Sequence, residues 1–108
     1  MSGFDDREKS FEAKYKRDQE TLFRITSRRN RLLGLWAAQQ FGMPDNQALD
    51  YAKEVVLADF EEPGDDDVVR KVLADFEERG LEMNEQGLRK EMIRLMDEAG
   101  RQLEAENS

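Results

Sequence analysis

Carboxylates are the one reactive side-chain class this chain offers in quantity: 25 Asp and Glu stand against 17 Lys and Arg, with no His and no Cys. Two close carboxylates can run acid–base chemistry, but catalysis asks for a perturbed one inside an enclosed pocket. A chain of 108 residues has little interior to enclose it. The densest acidic cluster, Glu61, Glu62, Asp65, Asp66 and Asp67, is the one candidate for a hard metal ion. It lacks the alternating oxygen ligands, central glycine and terminal glutamate of a calcium loop, and helix capping and solubility account for it. Without Cys there is no thiolate metal site and no cysteine nucleophile. Without His the commonest general base and metal ligand are missing, so any response to pH near neutrality must come from carboxylates or from a partner. The seven glycines are scattered and form no phosphate-binding loop. No catalytic residue and no metal site is assigned. The residues speak for binding, not for an enzyme.

Guanidinium groups are the second chemistry on offer. Arg24, Arg28 and Arg31 recur at offsets of four and three, with Arg29 beside them and Trp36 following. Such a face suits carboxylates or phosphates. It reads either as a solvated charged face or as a patch that docks on an acidic protein or takes ADP or ATP as a regulatory ligand. No other cofactor is indicated. Charge is unevenly divided about Gly42-Met43-Pro44: residues 1–42 carry a net +3 and residues 43–108 a net −11, within a total of −8. An acidic chain is repelled by phosphate backbones, so no nucleic-acid partner is expected. A basic helix packed beside acidic ones explains the asymmetry without any ligand.

These residues need elements to hold them, and the periodicity supplies four. Leu22, Ile25, Leu32, Leu33, Trp36, Ala37 and Phe41 recur at helical spacing and predict a helix over about 21–41, stopped by Gly42 and Pro44. Gly34 inside it marks either the close approach of a neighbouring helix or room for a ligand beside Trp36. Further stripes predict helices over about 46–61, 66–79 and 85–105. Asp45 or Asn46, the Asp65–Asp67 cluster and Asn84 are the expected caps, and Met83 with Leu88 has the spacing of a hydrophobic staple. Met83, Met92 and Met96 fall on the stripes and read as core. The expected fold is all-α: a largely antiparallel four-helix bundle over residues 21–108. The string Val56-Leu57-Ala58-Asp59-Phe60-Glu61-Glu62-Pro63-Gly64 returns sixteen residues later as Val72-Leu73-Ala74-Asp75-Phe76-Glu77-Glu78-Arg79-Gly80, with eight of nine positions identical. Two copies make no solenoid; the match reads as two similar helix endings.

Residues 1–20 differ from the rest. From Asp5 to Glu20 eleven of sixteen residues are charged, and only Phe4, Phe11, Ala13 and Tyr15 offer apolar surface. Opposite charges at helical spacing favour a helix by about 0.2–0.5 kcal/mol per pair. That is too little to offset ordering entropy without packing. The expectation is a mobile, nascent-helical segment that stiffens against a partner, with Phe4, Phe11 and Tyr15 on one face. Apolar runs are far shorter than the roughly 18 residues of a membrane helix. The start, Met1 to Arg7, lacks the apolar stretch of a secretory signal. A cytoplasmic protein, monomeric when free, is expected.

The stretches Phe4-Asp5-Asp6-Arg7-Glu8, Phe11-Glu12-Ala13-Lys14-Tyr15, Arg28-Arg29-Asn30-Arg31-Leu32-Leu33-Gly34-Leu35-Trp36-Ala37-Ala38 and Tyr51-Ala52-Lys53-Glu54-Val55-Val56-Leu57-Ala58-Asp59-Phe60-Glu61-Glu62 resemble the zeta subunit of the alphaproteobacterial F-type ATP synthase. The resemblance runs from Phe4 to the last helix. It implies a four-helix bundle whose amino-terminal segment enters a catalytic interface of the ATPase head. There the segment folds as a helix against the catalytic-head subunits and the central rotor, and blocks hydrolysis while leaving synthesis largely free. On this chain the implied inhibitory segment is Phe4, Asp5, Asp6, Arg7, Glu8, Phe11, Glu12, Ala13, Lys14 and Tyr15. The implied location is peripheral at the inner membrane, through the synthase. The alternative is a small adenine-nucleotide-binding bundle that reads nucleotide near Arg28, Arg31 and Trp36.

Overall fold

In the computed structural model, which describes residues 19–60 and 64–107, the four apolar stripes form four helices. These are α1 (Gln19–Gln40), α2 (Asp45–Ala58), α3 (Asp66–Glu78) and α4 (Glu85–Asn107). The segment Phe4–Tyr15 lies outside the described residues, as do Glu61, Glu62 and Pro63.

Helix α1 is the hub, packing along both α2 and α4. It runs antiparallel to each: Gly34 meets Ala52 while Phe23 meets Phe60, and Arg28 pairs with Glu106 near the end of α4. Helix α3 lies antiparallel to α2, with Asp75 on Tyr51 and Lys71 beside Glu54. Its start meets the start of α4 through Asp66 and Arg89. One core is assembled from all four helices: Leu33, Ala37 and Ala38 of α1, Tyr51 and Val55 of α2, Val68, Val69, Val72 and Phe76 of α3, and Leu88, Met92 and Leu95 of α4. A smaller cluster of Ile25, Ala99 and Leu103 holds the end of α4 against the start of α1. Met92 is in the core, Met83 packs against that core and Met96 against the smaller cluster, as the stripes predict.

The helix ends show which polar residues are used locally. Met43 N donates to Ala38 O at 3.0 Å and Leu81 N to Phe76 O at 2.9 Å, closing α1 and α3 in the same way. Gly42 and Gly80 supply the positive φ of 74° and 71° that this closure requires. Asn84 caps α4 through Gly87 N, 2.7 Å away. The other two expected caps are not made. Pro44 is the N-cap of α2, so Asp45 falls in the first turn, where its charge still suits the helix dipole. Asp65 stands at the N-cap of α3 but makes no capping bond, because its carboxylate is taken by Arg29.

The repeated string folds in two ways. Its first copy leaves the helix at Ala58, earlier than the expected end near residue 61, while its second copy stays helical to Glu78. Phe60 is 60% exposed and its counterpart Phe76 only 3%. The two endings are therefore not equivalent, contrary to the reading of the string alone.

Gly34 is a close-approach glycine. A Cβ built on it would lie 2.5 Å from the Ala52 Cα, backbone against backbone. Alanine at this position gains about 1 kcal/mol in helix propensity but forces α1 and α2 apart, and overpacking of this kind costs about 1–3 kcal/mol. Gly34→Val, with no propensity gain to match, is expected to lower the thermal unfolding midpoint by roughly 10 °C and Gly34→Ala by less. An unchanged midpoint for Gly34→Val, read by circular dichroism, would contradict the contact.

Candidate functional site

Of the residues expected from sequence, Arg24 and Arg28 lie at one end of the molecule, with Arg29 beside them. There α1 begins, α2 ends, the connection to α3 passes, and α4 finishes. Four arginines of α1 radiate from its first four turns, and each meets a different fate. Arg24 pairs with Glu20 on its own helix at 2.8 Å, both exposed. Arg28 reaches across to α4 and donates to both carboxylate oxygens of Glu106, with Nη2 2.9 Å from Oε1, and to Gln102 at 3.4 Å. The pairing raises the Arg28 pKa and lowers that of Glu106, chiefly through these hydrogen bonds. Arg31 is exposed.

Arg29 is the one that sequence reasoning undervalued. It is 4% exposed, donates through Nε to Asn30 Oδ1 at 2.8 Å, and through Nη2 to Asp65 Oδ1 at 2.8 Å. A buried guanidinium is held only when partners compensate its lost hydration, and here they come from its own helix and from the start of α3. The signal was present: position 29 lies four residues before Leu33, in phase with the apolar stripe. Asp59, at the end of α2, faces the same junction. Its pKa is raised above the ordinary 3.8, first by burial and further by Asp65 and Asp67, while the Asn30 amide and the Arg29 charge pull it down.

Trp36 sits elsewhere. It packs on the core, its ring 5.8 Å from that of Phe76. Phe41 completes this second aromatic group, 4.8 Å from Phe76 and 5.4 Å from Tyr51. The Tyr51 hydroxyl donates to Asp75 at 2.7 Å, and burial with that bond pushes its pKa up. Helical phase places Arg24, Arg28 and Arg31 on one flank of α1 and Trp36 roughly 80–140° around the axis from them. The four residues do not converge on one pocket, and Gly34 serves the α1–α2 contact instead of leaving room beside Trp36. Among the described residues no cluster of acidic side chains has the arrangement of a metal site, and no helix is long and apolar enough to cross a membrane. The acidic residues of the 65–67 cluster are engaged as ion-pair partners: Asp65 with Arg29, Asp66 with Arg89, and Asp67 with Arg70.

What this end displays is a charged but self-paired rim about the origin of α1, immediately after the polar segment. A model of the family described as ATPase inhibitor subunit zeta matches residues 1–102, and so takes in the polar segment and nearly all of the bundle. The chain belongs to that family. A protein whose structure was determined by solution NMR is similar to this zeta-family chain at 44% identity, with a TM-score of 0.69 over 78% of this chain and 95% of its own. Among curated proteins none matches. Family membership makes the role of the chain that of an inhibitor subunit, regulatory and not catalytic.

The junction around Arg29 yields a pH prediction. Because the folded pKa of Asp59 is raised, its favourable contribution is complete below the ordinary value of 3.8 and is lost as pH rises through the folded value. At neutral pH the ionised carboxylate therefore costs stability. Asp59→Asn is expected to raise the unfolding midpoint at pH 7, with the gap to the parent chain closing as pH falls towards 3.8. A gap that stays constant across that range assigns the effect to something other than ionisation.

Proposed function

We propose that this chain is a regulatory inhibitor subunit that binds the catalytic head of an F-type ATP synthase and blocks ATP hydrolysis by inserting its N-terminal segment as a helix. The family match across residues 1–102 carries the reading, because it joins the segment and the bundle in one unit with an inhibitor's role. Its partners are the catalytic-head subunits and the central rotor. Through them the chain is held peripherally at the membrane.

The physics of the segment supports this. Eleven charges in sixteen residues keep it soluble on its own. Phe4, Phe11 and Tyr15 supply the buried anchors in the complex, and the charges set register and speed of encounter. Leu22, in the first turn of α1, follows Tyr15 by seven residues, Phe11 by eleven and Phe4 by eighteen, all close to whole numbers of helical turns. A helix running without a break into α1 carries the aromatic line onto the side of α1 that turns inward at Arg29 and Leu33. The bundle then sets not only the direction of the segment but also its rotation about the axis. A stiff element so oriented can obstruct a rotor in one sense and be pushed aside in the other.

Deletion of residues 1–18 is the decisive experiment. Inhibition of ATP hydrolysis by the cognate ATPase should disappear, while the bundle's thermal unfolding midpoint moves by only a few degrees, since the core described above is assembled from the four helices. Inhibition retained by the truncated chain overturns the assignment of the segment.

A further inference from the structure

Phe60 poses a question that its local sequence does not answer. The same string buries Phe76 in the core, yet leaves Phe60 exposed. Phe60 is not alone. Its ring lies 5.9 Å from that of Phe23, itself 55% exposed, and Leu57, one turn earlier on α2, is 64% exposed. Isolated exposed apolar side chains are ordinary on protein surfaces. Two aromatic rings in contact, flanked by a leucine, are the composition of an interaction surface.

We propose that Phe23, Leu57 and Phe60 form a second docking surface, which seats the bundle on an apolar protein surface of the same ATPase head, beside the groove that receives the N-terminal segment. The inference rests on the function proposed above and adds a contact made by the bundle itself. Position argues for it. The segment joins α1 at Gln19, and Phe23 stands four residues on, about 6 Å along the helix axis. A partner that holds the segment up to Gln19 is already within side-chain reach of Phe23. Orientation argues the same way. Leu22, in the first turn of α1, precedes the buried Arg29 and Leu33 by seven and eleven residues, so a partner that follows this side of the helix towards its start abuts the bundle's end. The α1–α2 crossing displays the ring pair there. Chemistry narrows the partner. Two guanidinium groups in the first turns of α1 are occupied, Arg24 by Glu20 and Arg28 by Glu106. The patch thus presents an apolar centre, suited to an apolar protein surface.

The test compares full-length parent chain, Phe23→Ser/Phe60→Ser and, as a variant that leaves the ring pair intact, Leu57→Ser. Binding to the purified ATPase head is measured by anisotropy of the labelled chain, alongside inhibition of hydrolysis, thermal unfolding and sedimentation of the free chain. The double variant is expected to bind about 100-fold more weakly and Leu57→Ser about 10-fold, both with unchanged unfolding midpoints and sedimentation. Binding equal to the parent in all variants overturns the docking surface and leaves the proposed function standing. A parent chain that neither binds nor inhibits overturns both. A parent chain that sediments as a dimer, dispersed by the double variant without loss of inhibition, gives the patch to a second copy. Stronger inhibition by the double variant gives it to the chain's own segment. Either result ends the proposal.

Discussion

Because Gly34 has no side chain, α1 and α2 approach until backbone meets backbone at Ala52, and the arrangement of the remaining helices follows from that contact. It sets the register of the antiparallel pair. With Gly34 opposite Ala52, the start of α1 must lie against the end of α2, which brings Phe23 to Phe60 and places Arg29 and Asn30 beside Asp59 and Asp65. Helix α4 takes the opposite flank of α1 through Ile25, Ala99 and Leu103. The small residues on α1, Ala37 and Ala38 as well as Gly34, let one helix serve two neighbours at once.

Charge is organised about the same axis. The basic first half of the chain and the acidic second half are brought together by folding, so that Arg28 meets Glu106 and Arg29 meets Asp65. These two pairs differ in kind. Arg28 and Glu106 are solvated, and such pairs contribute modestly. Arg29 is buried, and its value lies in specificity: it admits only the arrangement in which the α2–α3 connection delivers Asp65. The same arrangement buries Asp59 in part and sets Asp65 and Asp67 near it, and its pKa is raised first by that burial and further by the two carboxylates.

The two ends of the bundle are unlike. At one end Trp36, Phe41, Tyr51 and Phe76 close on one another, with Arg79 over the Phe41 ring at 4.5 Å. At the other end the rings of Phe23 and Phe60 stay open to solvent. The bundle is thus closed by aromatic packing at one end and presents exposed aromatic rings at the other.

Much of this was legible in the residues. Apolar spacing located four helices, Gly42 and Gly80 marked two ends, Asn84 marked a start, and the absence of His and Cys removed most enzymatic chemistry. What was not legible depended on which neighbour arrives. Asp65 looks like a cap until Arg29 claims it, and Arg29 looks like its solvated neighbours until α3 covers it. Arg28 and Trp36 look like one patch until the helix turns them to different sides. The repeated string shows the division most plainly. Its residues determine a helix ending with an aromatic side chain in both copies, because propensity and spacing are local properties. Only the tertiary structure decides that Phe76 is buried among α1, α2 and α3 while Phe60 stands at an open end beside Phe23, because burial is a property of the surfaces that come to lie opposite.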